Sequence, residues 1–501
     1  MTEPPIRTVC IIGAGVAGLA MAKALDEIGV RYEVHERGSE VGGVWTDGYE
    51  GYGVQVPKSI YEMPDFPMPD SVPEFPPGPV VQAYLHDYAR QFGIMDHVHL
   101  GSDVTAIRED TAKPGWRVTL MRDGKRSTRR FDLVVVCVGL YSNTPYLPEI
   151  GNREDYGGAI LHNSELRESA ILRDHRVAVV GFGKSATDAA LLSERLAGET
   201  HIIARHLHWP VPRRLAGILP FKWGLLNRMT LSLIPLYKDP TPFERALHRW
   251  GRPLIWIYWR LVELLLVVQC GLWSRLGARQ SLVPEDPVEI GAFSEATMVP
   301  HPEFFGKVRH GRIRVHHSGV QRFTRSGVEL SDGTQLTVDR VVFATGWRSD
   351  YGFLPPDLHT RLGAADDGFY LYRQMLHPNV PRLAFVGYAS TVSNMLAYRM
   401  QACWLAALIA GRHALPDADA QRTEIDRMRA WKRSWMPFSH ARAARLIVHL
   451  QHYLDELMTD MGLDPMRKRG VLAPLAELVA PYQPSDYRTV TATGDAMTAS
   501  R

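Results

Sequence analysis

Two glycine-rich turns carry the residue spacing most able to do chemistry. Gly13-Ala14-Gly15-Val16-Ala17-Gly18 follows an apolar run, Ile6 to Ile12, that reads as a buried strand, and Leu19 to Ile28 continues with helical apolar spacing. Each glycine then has a task. Gly13 permits the tight turn, Gly15 lets a pyrophosphate approach the backbone, and Gly18 lets the helix pack close to the strand, so that helix amides face the phosphates. Glu36 ends a second strand, Arg31 to His35, where a carboxylate accepts hydrogen bonds from a ribose diol. A lone glycine triplet occurs in ordinary turns; strand, triplet, helix, strand and terminal acid in register predict a dinucleotide cradle.

The pattern returns at Gly181-Phe182-Gly183-Lys184-Ser185-Ala186, between a strand at Val177 to Val180 and a helix through Leu196. Ala186 replaces the third glycine, and the next strand ends at Ala204-Arg205 rather than at an acid. An arginine there suits a 2′-phosphate and predicts NADPH rather than NADH; a surface arginine after a strand is the plainer alternative.

These cradles need a large scaffold, and the chain has 501 residues with 45% apolar content, enough for two to four domains. A formal net charge of +3 implies no general attraction to nucleic acid or to anionic membrane, and Arg467-Lys468-Arg469 reads as a solvated run. Cys10, Cys137, Cys270 and Cys403 each lie in an apolar run without paired or metal-type spacing, as buried thiols in a reducing compartment would. No signal segment precedes the first strand, so a cytoplasmic location is expected. Twenty histidines, His316-His317, His206 and His208 among them, find no carboxylate or cysteine spacing that completes a zinc or iron site, so no metal is expected.

The expected organisation is α/β: two Rossmann-like dinucleotide-binding domains, the second inserted in the first, with a helical insertion. Residues 1–150 form the first part of one domain and 151–213 the first part of the other. Residues 214–300 are the apolar insertion, 301–345 the return strands, 346–478 the rest of the first domain, and 479–501 a polar tail. A Pro- and Tyr-rich stretch runs to Pro79, followed by a helix from Val80 to Phe92. Strands are predicted at Val98 to Ile107, Trp116 to Arg122 and Phe131 to Val138, with Asp123-Gly124 as a hairpin turn. Ile313 to His316, Val320 to Phe323 and Val328 to Leu330 read as a meander. Val341 to Ala344 and Leu383 to Val386 read as strands. Helices are predicted at Val392 to Gly411 and at Ser439 to Met461, with Ser439 as N-cap.

In the insertion, Leu254 to Trp273 is about long enough to span a bilayer, but Arg260 and Glu263 fall inside it. Three readings stay open: a helix over the active site, a homodimer contact, or a peripheral patch resting on membrane.

Further segments bear a family resemblance. Tyr156-Gly157-Gly158-Ala159-Ile160-Leu161-His162-Asn163-Ser164-Glu165-Leu166 resembles the fingerprint between the two cradles of class B flavin-containing monooxygenases. Gly42-Gly43-Val44-Trp45, the run from Gln55-Val56-Pro57-Lys58 to Asp65-Phe66-Pro67, and Phe343-Ala344-Thr345-Gly346-Trp347 are similar too. So is His208-Trp209-Pro210-Val211-Pro212-Arg213. The Gln-x-Pro-Lys form, His377-Pro378 and Cys403-Trp404-Leu405-Ala406 look most like the plant-type branch.

The resemblance implies an FAD-dependent NADPH monooxygenase, N,N-dimethylaniline monooxygenase-like. It would form a flavin hydroperoxide from molecular oxygen and oxygenate a nucleophilic nitrogen or sulfur atom of a lipophilic small molecule. It implies FAD contacts from Gly13, Gly15, Gly18, Glu36, Arg37, Gly43, Val44, Trp45, Gln55, Val104 and Asn394. NADPH contacts would come from Gly181, Gly183, Lys184, Ser185, Ala186 and Arg205. Gln55 can donate an amide hydrogen near the reacting oxygen or simply pack the flavin edge. Asp65 can orient neighbouring groups or make a turn with Phe66-Pro67. His162 reads as a joining residue rather than an acid or base. Baeyer-Villiger oxygenation and a non-oxygenating NADPH-oxidising flavoprotein remain alternatives. A disulfide reductase on the same plan lacks its Cys-x-x-Cys pair.

Overall fold

The computed structural model describes residues 4–141, 144–273, 281–294, 298–348 and 350–495. The chain divides into two compact units: Met1–Thr46, Val56–Asn143 and Ser349–Arg501 form one, Asp47–Gln55 and Thr144–Arg348 the other.

The first unit is built on a parallel sheet in the spatial order Leu383–Phe385, Leu133–Val136, Thr8–Ile12, Arg31–His35, Val98–His99. Its central strands are covered on both faces, which is why Val9-Cys10-Ile11-Ile12 and Leu133-Val134-Val135-Val136 are unbroken apolar runs. The helix Val16–Asp26 buries nine of its eleven residues, so it sits inside the unit, and small alanines let it lie against the equally buried helix Asn394–Ile409.

Beside them stands an antiparallel sheet of Ser102–Glu109, Trp116–Arg122 and Lys125–Phe131. Asp123 and Gly124 both have positive φ, 50° and 71°, the type I′ geometry that joins two-residue hairpins. Two expectations are corrected in this region. Val98 to Ile107 is two strands in different sheets, separated at Gly101, whose φ is 63°. Lys125–Phe131 is a strand that hydrophobic alternation does not reveal, because six of its seven residues are exposed; its charges suit an unpaired edge. The chain breaks at Asp132, whose carboxylate accepts the Arg7 and Thr8 amides, before Leu133–Val136 begins.

The second unit repeats the parallel sheet, with order Arg314–His317, Glu199–Ala204, Arg176–Val180, Arg340–Phe343, Ala159–His162. Arg314–His317 therefore belongs to this sheet, pairing His201 with Arg314, and not to the meander. The meander is Val320–Thr324, Gly327–Leu330 and Gln335–Thr337. Arg176 opens the central strand and Asp339 precedes its neighbour; their ion pair at 2.7 Å holds the two strand starts together.

The C-terminal region departs most from expectation. Of Ser439 to Met461 only Leu450–Asp460 is α-helical; Arg442–Ala444 is a single 3-10 turn, Arg445–Ile447 a short strand, and the Ser439 hydroxyl accepts the Ala441 amide in a local turn. Buried Asp367 binds Arg433 and Arg442 at 2.8 and 2.6 Å, and these pairs tie the 3-10 turn that starts at Arg442 to the helix Ala418–Trp435 in place of a continuous α-helix. Arg467 is not solvated but pairs with Asp495 in full burial, and Lys468 binds Asp486 at 2.7 Å. The presumed polar tail is thus folded onto the first unit as far as Asp495, with the Ala492 amide donating to Glu27 at 2.8 Å.

Two predictions follow from these contacts. A Cβ on Gly18 would lie 1.9 Å from the Gly13 carbonyl oxygen. Gly18→Ala should therefore cost about 1–3 kcal/mol or more and abolish FAD retention, whereas Ala186→Gly should cost only about 0.5–1 kcal/mol. Urea midpoints and the flavin content of the purified variants check both. The Arg176 guanidinium pulls the Asp339 carboxyl from an ordinary 3.8 down to about 2. Because the folded value is depressed, the stabilisation is complete above about pH 4 and lost as pH falls toward 2. Melting temperatures of Asp339→Asn should fall less steeply than wild type across that window.

Candidate dinucleotide sites

In the first unit, the turn after Thr8–Ile12 is shaped by one close approach. Gly13 has φ 102°, its amide donates to His35 O at 2.8 Å, and a Cβ on it would lie 2.7 Å from Cys137 O. The helix Val16–Asp26 starts without a side-chain cap, leaving first-turn amides for an anion. Glu36 accepts the Ala14 amide at 2.8 Å and the Gly38 amide at 2.7 Å, which pins its carboxylate at the end of the second strand. Each carboxylate oxygen retains a lone pair for a ribose hydroxyl.

The other first-unit residues take varied positions. Gly42 N donates to Ala14 O at 2.9 Å, and Gly43 lies close enough for its backbone to face Gly15. Val44 is exposed, while Trp45 is buried and sets its ring 5.5 Å from Tyr61. Val104 is buried on its strand and Arg37 is exposed. Asn394 opens the helix Asn394–Ile409, its Oδ1 accepting the Thr391 amide at 2.9 Å. Asp65 binds Lys23 and, at 3.1 Å, Arg399 Nε; Arg399 also binds Glu27. Its carboxylate is thus committed to fastening the helix Val16–Asp26 to the helix Asn394–Ile409.

The second unit reproduces the turn almost atom for atom. Gly181 has φ 128°, its amide donates to Ile203 O at 2.9 Å, and a Cβ on it would lie 2.6 Å from Ala344 O. Nothing lies within 4 Å of where a Gly183 Cβ would project, so that face is open to a ligand. The helix Lys184–Leu196 also lacks a side-chain cap. Arg205 is exposed at the carboxyl end of Glu199–Ala204, against Gly319, and has no acidic partner among the described residues. A guanidinium left free at this end of a parallel sheet fits a phosphate monoester.

One cluster here escaped the sequence reading. Asp188, buried, binds Lys184 and accepts the Tyr49 hydroxyl at 2.8 Å, while His301 Nε2 lies 3.6 Å from its other oxygen. Burial, then the Lys184 charge, lowers the His301 pKa. Only the Lys184–Asp188 spacing of four along a helix was legible locally.

The fingerprint segment packs within the second unit. His162 is buried, its Nδ1 meeting Ser164 Oγ at 2.8 Å and its Nε2 donating to Gly346 O at 3.1 Å, with Trp347 packed edge-on at 5.1 Å. Leu166 is fully buried and its carbonyl accepts the Glu50 amide. Gln55 belongs to this unit, and its Oε1 accepts the Val299 amide at 3.1 Å.

Residues 6–241 and 292–489 match the FMO-like family, flavin-binding monooxygenase-like. The chain is 30% identical to a probable flavin-containing monooxygenase 1 of Arabidopsis thaliana over 96% of both sequences. It is 28% identical to flavin-containing monooxygenase 1 of Homo sapiens over 92% of this chain and 84% of that one. Among solved structures, S-allyl-L-cysteine S-oxygenase from Allium sativum superposes with a TM-score of 0.65 at 20% identity, covering 97% of this chain and 92% of that one. Cyclohexanone monooxygenase does so with 0.68 at 17%, covering 90% and 97%. OTEMO, solved with FAD and NADP, gives 0.65 at 18%, covering 86% and 90%. With two matching cradles, an acid closing the first and an arginine closing the second, the chain belongs to the flavin-binding monooxygenase-like family and is an FAD-dependent monooxygenase.

Proposed function

We propose that the enzyme uses NADPH and molecular oxygen to oxygenate a nucleophilic nitrogen or sulfur atom of a lipophilic small molecule. The observation that carries this reading is the orientation of Gln55. With its carbonyl oxygen bound to the Val299 amide, the side chain presents its NH2 group as a donor. A carboxamide donates hydrogen bonds and takes up no proton at neutral pH. At the place beside the flavin that the family resemblance gives it, Gln55 favours an oxygen that keeps its proton and reacts as an electrophile, as amines and sulfides require. Ketone oxygenation needs an oxygen nucleophile, and a carboxamide is no base to generate one.

Bound FAD supplies the oxygen-activating chemistry, and the chain supplies placement and exclusion of water. Arg205 selects NADPH by its free guanidinium. Asp188 holds the Lys184 ammonium at the head of the second cradle. The Trp-, Leu- and Pro-rich segment 214–300 supports an apolar substrate. Four buried, unpaired cysteines support a reducing, cytoplasmic setting.

Incubating holoenzyme with NADPH, 18O-labelled oxygen and a tertiary amine, a thioether and a cyclic ketone tests the reading by mass spectrometry. The expected result is an N-oxide or sulfoxide carrying one labelled atom, with NADPH consumed in near-equal amount. A labelled lactone as the dominant product, or NADPH consumption yielding only hydrogen peroxide, would overturn it. Arg205→Ala should raise KM for NADPH about 10–100-fold, as loss of charge-assisted hydrogen bonds worth about 1.5–3 kcal/mol predicts. KM for NADH should stay unchanged in the same steady-state assay.

A further inference from the structure

The Asp188 cluster of the second unit has one acceptor to spare. Asp188, 7% exposed, takes two donors on the same oxygen: Oδ2 accepts from the Lys184 ammonium and, at 2.8 Å, from the Tyr49 hydroxyl. Oδ1 is buried and has no hydrogen-bond partner among the described residues. His301 Nε2 faces it at 3.6 Å, just outside hydrogen-bond reach, and the His301 carbonyl is fixed by the Phe304 amide at 3.0 Å. A bare buried carboxylate oxygen beside an imidazole marks a place where an added proton would be bound.

Lys184 stands where a second anion would compete for it. It is the first residue of the helix Lys184–Leu196, which opens without a side-chain cap, and it follows Gly183, whose face is open. A nucleotide diphosphate at such a helix start is strongly anionic. The Lys184 side chain, 12% exposed, carries its ammonium on a flexible four-carbon stem and can turn to that anion. The turn takes a cationic donor from Asp188, and a buried carboxylate that loses its counter-charge is strongly disfavoured.

Of the charged and titratable groups around Asp188 and His301, His301 is the one able to change charge near neutral pH. Burial, then the Asp188 charge, push the Tyr49 hydroxyl pKa well above its usual value, so Tyr49 keeps its proton. Arg213, which faces His301 from the segment after Trp209, is charged at every accessible pH. Glu303 is exposed and pairs with Arg195 at 2.7 Å. With Lys184 on Asp188, burial and then the Lys184 charge lower the His301 pKa, against the pull of Asp188. Once Lys184 turns away, that repulsion is relieved and the pull of Asp188 remains. The His301 side chain is 39% exposed, so water can deliver the proton. We propose that binding of the NADPH diphosphate at the second cradle draws Lys184 from Asp188, and that His301 takes up a proton from solvent to replace it. The inference rests on reading this cradle as the NADPH site.

The coupling has a sign. A His301 pKa higher with nucleotide than without strengthens binding fully below the lower value, and the gain is lost as pH rises through the higher one. Calorimetric titration of NADP⁺ into the oxidised, FAD-loaded enzyme, in buffers of different ionisation enthalpy, counts the protons exchanged. Wild type should take up more protons per nucleotide than His301→Gln, by up to about one. Any titration of the ligand's own 2′-phosphate cancels in that comparison. Between about pH 6 and 8, wild-type affinity relative to the variant should fall by up to about tenfold per pH unit. Lys184→Gln should bind more weakly and lose the uptake, because without the ammonium His301 holds its proton before nucleotide is added; mere packing by His301 does not predict this. Equal proton counts for wild type and His301→Gln, even with weaker binding by the variant, would overturn the inference alone. So would uptake that survives in Lys184→Gln. Failure of the flavin-loaded wild type to bind NADP⁺ would overturn the cradle's assignment and the inference with it.

Discussion

Both nucleotide-binding halves of this enzyme depend on one close contact: a glycine at the end of the first strand, pressed against the carbonyl that follows a neighbouring strand. Gly13 meets Cys137 O, and Gly181 meets Ala344 O, at distances where a Cβ would clash. Each glycine also gives its amide to a carbonyl in the last two residues of the second strand, His35 or Ile203. The turn, the start of the helix and the end of the second strand are thereby located together. The third small residue then decides how near the helix comes, and Gly18 and Ala186 show that the two cradles tolerate different clearances.

Around the first cradle, buried charge does the fastening. Asp65, Lys23, Glu27 and Arg399 form a cluster between the helix Val16–Asp26 and the helix Asn394–Ile409, and Asp367 collects Arg433 and Arg442. Breaking one partner of such a pair strands a charge in a poor solvent, at about 3–5 kcal/mol. This gives Asp65 a purpose in the fold that requires no part in the chemistry. It also explains why the region after Ser439, helical by its periodicity, bends into turns around Asp367.

The second unit places charge for a different end. Lys184 and Asp188 are matched, with Tyr49 and His301 completing the cluster, whereas Arg205 is left unmatched at the sheet's carboxyl edge. A guanidinium without an acid is costly only if it is buried, and at this exposed edge it remains available to a phosphate. The apolar insertion follows the reverse logic: Arg260 and Glu263 are consumed internally, and the helix Arg252–Cys270 shows hydrocarbon to its surroundings.

What the sequence determined alone rests on short-range sterics and spacing. Glycines that must hold positive φ, an acid or arginine a fixed distance downstream, an Asp-Gly hairpin turn and a continuous apolar strand all act within a few residues, so the cradles and their order are legible in one dimension. The family fingerprint around His162 was legible as a pattern, although its contact with Gly346 was not. Tertiary structure decided whatever depends on a distant partner. Arg314–His317 could pair in a meander or a parallel sheet by its alternation, and only Glu199–Ala204 settles which. Lys125–Phe131 is a strand because Trp116–Arg122 offers it hydrogen bonds, not because its charged side chains prefer one. Arg467 looks like solvated charge until Asp495, 28 residues on, closes over it. Tyr49 and His301 converge on Asp188 from far along the chain, and no spacing in the sequence encodes a meeting made by packing.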